Sequence, residues 1–177
     1  LRYLHNKQTQ TNSSVKLATF APIYENTIYN NTQFPNLPYA KTEATSIVNL
    51  FDGRAFIGQH ATKNNFLIQN KSYSVLHCSM HSVLYDNDFN QSYLLFANAQ
   101  PMYFNELYTK AIPAEMVVLS ACNTGAGKLV EGEGIMSLSR AFTYAGVKST
   151  VVSLWQVPDK ETSEIMIAFY ENLKEGQ

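Results

Sequence analysis

Residues 116–122 read Met116-Val117-Val118-Leu119-Ser120-Ala121-Cys122, between Pro113 and Gly125. An unbroken apolar run of this kind, rich in β-branched residues, fits a strand covered on both faces. The downstream residues support that reading. After Gly125-Ala126-Gly127, the stretch from Glu133 to Tyr144 is amphipathic, with Ile135, Leu138, Phe142 and Ala145 on one stripe and Gly146 as its stop. Thr150 to Trp155 is again β-branched and apolar. Asp159 is expected to cap a last helix with Ile165, Met166, Phe169, Tyr170 and Leu173 facing inward and Gly176 at its end.

The same alternation runs upstream. Ile47, Val48, Leu50 and Phe51 have helical spacing after Tyr39, with Gly53 as a stop; Arg54 to Gly58 reads as a short strand. Ala61 to Ile68 starts a second helix with Thr62 as its cap. Tyr73 to Met80 is a strand with Val75, His77, Ser79 and His81 on one face and Leu76, Cys78 and Met80 on the other. Asp86 to Gln91 is a polar loop, and Tyr93 to Phe96 a further short strand. Residues 1–36 form a polar segment, interrupted by Pro22 and Pro35; Val15 to Phe20 is a possible edge strand and Tyr24 to Phe34 is loop-like. Residues 37–177 carry the ordered domain. Strands alternating with helices predict an α/β fold, a mostly parallel sheet with helices on both faces.

The composition narrows the function. The chain has 177 residues, enough for one core, with 45% hydrophobic and 15% charged residues and a net charge of -1. No basic stripe points to nucleic acid, and no apolar run is long enough for a membrane span. The polar start, Leu1 to Ser14, has no signal-peptide pattern and reads as a cut inside a longer protein. Two cysteines make no disulfide framework, so a reducing cytoplasm is the expected compartment.

Open parallel sheets place their sites at the carboxyl ends of strands. Two reactive side chains fall there: His81 after one strand and Cys122 after another. If the two strands are parallel neighbours, they lie about 4.8 Å apart with their ends on one edge, and an imidazole and a thiol can meet across the gap. A free thiol is mostly protonated at neutral pH; a nearby histidine can take the proton and later give one to a leaving amine. Backbone N–H groups of the Gly-rich turn after Cys122 could hold an oxyanion. His77, inside the strand, reads as structural, and Cys78, on the opposite face, as core. Gly125-Ala126-Gly127-Lys128 is a poor phosphate loop, since Cys122 and Leu129 stand where a Walker A pattern needs Gly and Ser or Thr. No metal-ligand spacing accompanies the histidines, and no cofactor is expected. Glu131 and Glu133 can offset a helix dipole.

Val118-Leu119-Ser120-Ala121-Cys122-Asn123-Thr124-Gly125 resembles the nucleophile segment of the CHAT domains, caspase-like peptidase domains often fused to tetratricopeptide repeats. The resemblance continues through Gly132-Glu133-Gly134-Ile135, Leu138-Ser139-Arg140-Ala141-Phe142 and Ser153-Leu154-Trp155, and upstream through Leu76-His77-Cys78-Ser79-Met80-His81 and Leu37-Pro38-Tyr39-Ala40. It implies a caspase-like three-layer sandwich and a Cys–His dyad, with His81 as base and Cys122 as nucleophile. It further implies an oxyanion hole from the backbone N–H groups of Cys122 and Ser82. Ser82 stands where this fold most often has Gly, and Asp88-Phe89 replaces a common Asn-Pro. The chain ends before the family's usual last segment, an expected truncation. A basic cleavage-site preference would need an acid from Asp86, Asp88, Glu131 or Glu133; an apolar pocket is equally open. The implied partners are a peptide or protein substrate and tetratricopeptide repeats. Two functions compete: a cysteine endopeptidase, latent until a partner or the repeats activate it, and a catalytically silent interaction or signalling domain.

Overall fold

Leu17, Ala18, Thr19 and Phe20 are each 0% exposed, so both faces of the first strand are covered. That burial sets the frame of the sheet. The computed structural model describes residues 15–85, 89–120, 133–153 and 158–176, without the side chains of 133–137. In chain order it has β1 (Lys16–Ala21), a hairpin of β2 (Thr27–Tyr29) and β3 (Thr32–Phe34), α1 (Ala40–Leu50), β4 (Asp52–Ile57), α2 (Lys63–Gln69) and β5 (Val75–Cys78). Then come β6 (Ser82–Val83), β7 (Tyr93–Phe96), β8 (Gln100–Tyr103), α3 (Phe104–Leu107), β9 (Met116–Leu119), α4 (Glu133–Tyr144), β10 (Ser149–Val152) and α5 (Asp159–Glu175).

Five strands pair in parallel in the order β10-β9-β5-β1-β4. The chain moves outward from β1 to β4, returns past β1 to β5, and continues the other way. Right-handed crossovers then require helices on opposite faces before and after the reversal. Leu17, Val75 and Val118 accordingly pack with Ile47 of α1 and Tyr170 of α5 on one face. Phe20, Leu76, Cys78, Val117 and Leu119 pack with Phe66 of α2, Phe104 of α3 and Phe142 of α4 on the other. The expected α/β fold, a parallel sheet between helical layers, is what forms. The reversal falls between β1 and β5, and open α/β sheets build their sites at the carboxyl ends of such strands. Strands β6, β7 and β8 make a small antiparallel sheet just after β5.

Several local expectations are corrected. The possible edge strand near Val15 to Phe20 is β1, and it lies inside the sheet between β5 and β4. Its apolar run is covered on both sides, which an edge strand's would not be. The loop-like stretch from Tyr24 to Phe34 holds the β2–β3 hairpin, turning on Asn30 and Asn31 at φ 48 and 59. Two adjacent residues at positive φ make the hairpin turn that matches strand twist, and Asn tolerates that region. Asp159 is not a cap: Pro158 holds that position, and the Asp159 carboxylate accepts the Tyr39 N–H at 2.9 Å. Ile165 and Leu173 face outward, at 62% and 37% exposed, while Tyr170 is buried.

Gly53 does not stop α1; it belongs to β4 and pairs with Leu17 of β1. A Cβ there would lie 2.3 Å from the Leu17 carbonyl oxygen, a main-chain atom inside the sheet. Gly53→Ala is expected to lower stability by about 1–3 kcal/mol through overpacking, read as a drop in urea midpoint. An unchanged midpoint would show that the β1–β4 spacing relaxes freely. No helix among the described residues is long and apolar enough to cross a membrane.

Candidate active site

Strands β5 and β9 are parallel neighbours, with Cys78 opposite Leu119 at their last paired residues. The two chains therefore leave the same rim of the sheet at the same level. His81 is three residues past Cys78, and Cys122 three past Leu119. Cys122 itself lies outside the described residues, as do Asp86, Asp88 and Glu131; Glu133 is the first residue of α4, with no described side chain.

Pairing stops at Cys78, so strand alternation no longer governs His81. Its ring leaves the face shared by Val75, His77 and Ser79 and packs against Tyr24 and Phe34, with centroids 4.5 and 5.4 Å away. The ring is 0% exposed. Nε2 lies 2.7 Å from the carbonyl oxygen of Pro35. A carbonyl only accepts, so Nε2 carries the proton and the lone pair of the neutral ring sits on Nδ1. Nδ1 is buried and has no hydrogen-bond partner among the described residues. The hairpin thus sets the tautomer through a main-chain carbonyl.

Burial pushes the His81 pKa below its ordinary value, against the opposing pull of the Pro35 carbonyl. The neutral imidazole, a competent base, is favoured near neutral pH. In the unfolded chain the same ring takes up a proton near its ordinary pKa of about 6.5. Below that pH the unfolded state binds more protons, so stability rises with pH in that window. The contribution is complete above the unfolded value and is lost as pH falls toward the lower folded one. Thermal melts from pH 7.5 to 5 are expected to fall more steeply for the parent than for His81→Gln; parallel curves would contradict the burial argument.

Ser82 begins β6 opposite Leu94. The Leu95 N–H donates to the His81 carbonyl at 2.9 Å, which makes Ser82–Leu94 a non-hydrogen-bonded pair. The Ser82 main-chain N–H accordingly points away from β7. Ser82 has strand conformation and is not among the positive-φ residues, so replacing the more usual Gly brings no left-handed strain.

His77 has a different environment. Its Nε2–H donates to Glu43 Oε1 at 2.6 Å, with Ser79 Oγ 3.0 Å away. Ser79 also donates to Glu43 Oε1 at 2.8 Å, and the Tyr170 hydroxyl lies 3.3 Å from His77 Nδ1. Serine, histidine and acid meet here, yet not in catalytic wiring. Glu43 and Ser79 share one ring nitrogen, whereas a nucleophilic triad needs them on opposite nitrogens. Glu43, His77 and Ser79 are all buried, so the cluster ties α1 and α5 to β5. The Cys78 thiol is buried in the other face, and burial pushes its pKa up, away from reactivity. Among the described residues no three His, Cys, Asp or Glu side chains group as metal ligands.

Sequence reasoning missed Tyr24, Phe34 and Pro35. The Asn30-Asn31 turn signal was available and would have marked the hairpin; nothing in the sequence marked its docking on His81.

The frame is a doubly wound α/β domain with a histidine just past the end of β5 and the end of β9 beside it. The chain belongs to the CHAT domain family, a caspase-like family whose model matches residues 1–177. Tetratricopeptide repeat protein 28 from Homo sapiens is 37% identical over 65 residues, and its Mus musculus counterpart 34% identical over 71. Those alignments cover 37% and 40% of this chain and 3% of each relative's length. Among solved structures, a Streptococcus pneumoniae TIGR4 flavodoxin aligns at TM-score 0.48 and 12% identity, over 93% of this chain and 100% of that one. A short-chain flavodoxin associated with a bacterial microcompartment aligns at 0.49 and 16%, over 92% of this chain and 98% of that one.

Proposed function

We propose that this domain is a cysteine endopeptidase in which Cys122 attacks a peptide carbonyl and His81 Nδ1 takes the thiol proton. His81 then donates that proton to the leaving amine, and water hydrolyses the thioester. The observation that carries this reading is the state of His81. Its Nε2 is committed to the Pro35 carbonyl, and its Nδ1 is unpartnered among the described residues, on the rim where the chain of β9 also emerges. The Ser82 N–H, which points away from β7, is the proposed oxyanion donor with that of Cys122. Asp86, Asp88, Glu131 and Glu133 remain the acids proposed to select a basic side chain at the cleavage site.

The complete burial of the His81 ring favours a latent enzyme. Opening by a partner, or by tetratricopeptide repeats such as the relatives' name records, is the proposed trigger, with a reducing cytoplasm as the setting. The same burial also suits a catalytically silent interaction domain. An electrophilic peptide library applied to the full-length protein separates the two readings. Capture at Cys122, absent from Cys122→Ala, is the peptidase result. No capture in any activated state, with the biological role intact in Cys122→Ala, is the silent result.

A further inference from the structure

Tyr24 touches His81 at the ring and at the main chain. Its own ring lies 4.5 Å from the imidazole at an interplanar angle of 53°. Its hydroxyl accepts the His81 N–H at 3.2 Å and donates to the Leu95 carbonyl. Leu95 in turn donates its N–H to the His81 carbonyl at 2.9 Å. The Tyr24 N–H donates to Asn36 Oδ1 at 3.2 Å, one residue from the carbonyl that holds Nε2. One residue therefore holds the backbone of His81, one wall of its ring, and the segment that sets its tautomer. Tyr24 is 1% exposed, so no water competes for these bonds.

A neutral imidazole has two tautomers, and a half-turn about its χ2 puts ring carbons where its nitrogens were. A single carbonyl bond does not forbid that rotation; a wall against the ring does. Phe34 supplies the second wall at 5.4 Å. We propose that Tyr24 is a positioning residue for His81, holding ring and main chain in the one orientation that leaves Nδ1 as the base. This rests on the Cys122–His81 reading, and its test is chosen to fail separately from it.

Tyr24→Phe keeps the ring and removes the hydroxyl, whose two bonds hold that ring against the imidazole and tie it to the His81 main chain. In the full-length protein, two rates are followed by mass spectrometry. The first is hydrogen–deuterium exchange at the imidazole C2 of His81, with His77, held in its own buried network, as internal control. The second is alkylation of Cys122 by iodoacetamide at neutral pH and well above the thiol pKa. The variant is expected to exchange at His81 several-fold faster while His77 is unchanged. Alkylation at neutral pH falls about tenfold, and stays the same at high pH where no base is needed.

Equal acceleration at both histidines would mean general loosening and overturn the proposal, as would unchanged exchange at His81. If the parent shows no His81-dependent alkylation while His81 exchange still accelerates, the positioning stands and the peptidase reading falls. Should Tyr24→Phe fail to fold, Asn36→Ala cuts the adjoining bond and is read in the same way. A smaller acceleration confined to His81 supports the proposal, and none overturns it.

Discussion

His81→Ala is expected to slow acylation of Cys122 by an electrophilic peptide at pH 7 by at least about 100-fold, the low end of what a positioned base contributes. The reason is geometric. Nδ1 holds the only lone pair of the neutral ring because Nε2 is spent on Pro35, and Nδ1 has no other partner among the described residues. Without it, attack depends on the small fraction of thiolate that a free thiol carries at neutral pH. The difference between parent and variant is therefore expected to shrink as pH rises toward the thiol's own ionisation. Cys78 is an internal control, since its buried thiol is expected to stay unlabelled in both proteins. Equal rates at pH 7 would place the base elsewhere.

The second large effect concerns stability. Glu43 Oε1 accepts hydrogen bonds from both His77 Nε2 and Ser79 Oγ, and all three residues are buried. Glu43→Ala leaves at least the Ser79 hydroxyl without its acceptor, since Ser79 Oγ, 3.0 Å from His77 Nε2, can still accept from the ring. It also empties the volume of a buried side chain, so a total loss of about 2–5 kcal/mol is expected. In a chain of this size that lowers Tm on the order of 10 °C. Glu43→Gln keeps an acceptor of the same shape and is expected to cost less than half as much. Calorimetry on both variants checks the ordering, and a Glu43→Ala protein melting within about 2 °C of the parent would mean the network is dispensable. Because Glu43 lies on α1 and Tyr170 on α5, this loss also loosens the helical layer behind β5.

The contrast between His77 and His81 shows how far the sequence reaches. Both sit in one short segment, and position alone separated the structural residue from the proposed base: one inside the strand, the other beyond its end. The parallel sheet was also accessible, because apolar runs alternating with amphipathic ones leave few right-handed topologies. The role of residues 22–36 was not. Their polar, Asn-rich composition reads as solvent-facing loop, yet the segment folds back and places Pro35 on the imidazole. Gly53 misled for a related reason. A glycine after a helix usually ends it, whereas here the nearby Leu17 carbonyl excludes a side chain.

Periodicity and the reactive residue types, both local properties, are enough to define an α/β chain with a histidine following one strand and a cysteine following another; that those two strands are neighbours is decided by the sheet. Which nitrogen of the histidine keeps its proton, what walls the ring, and which acid anchors the other histidine are decided by contacts between residues distant in the chain. Pro35 and His81 are 46 residues apart, and Glu43 and His77 34. Such pairs come together only when the sheet closes, because no local pattern encodes a contact between a main-chain carbonyl and a ring that a separate strand delivers.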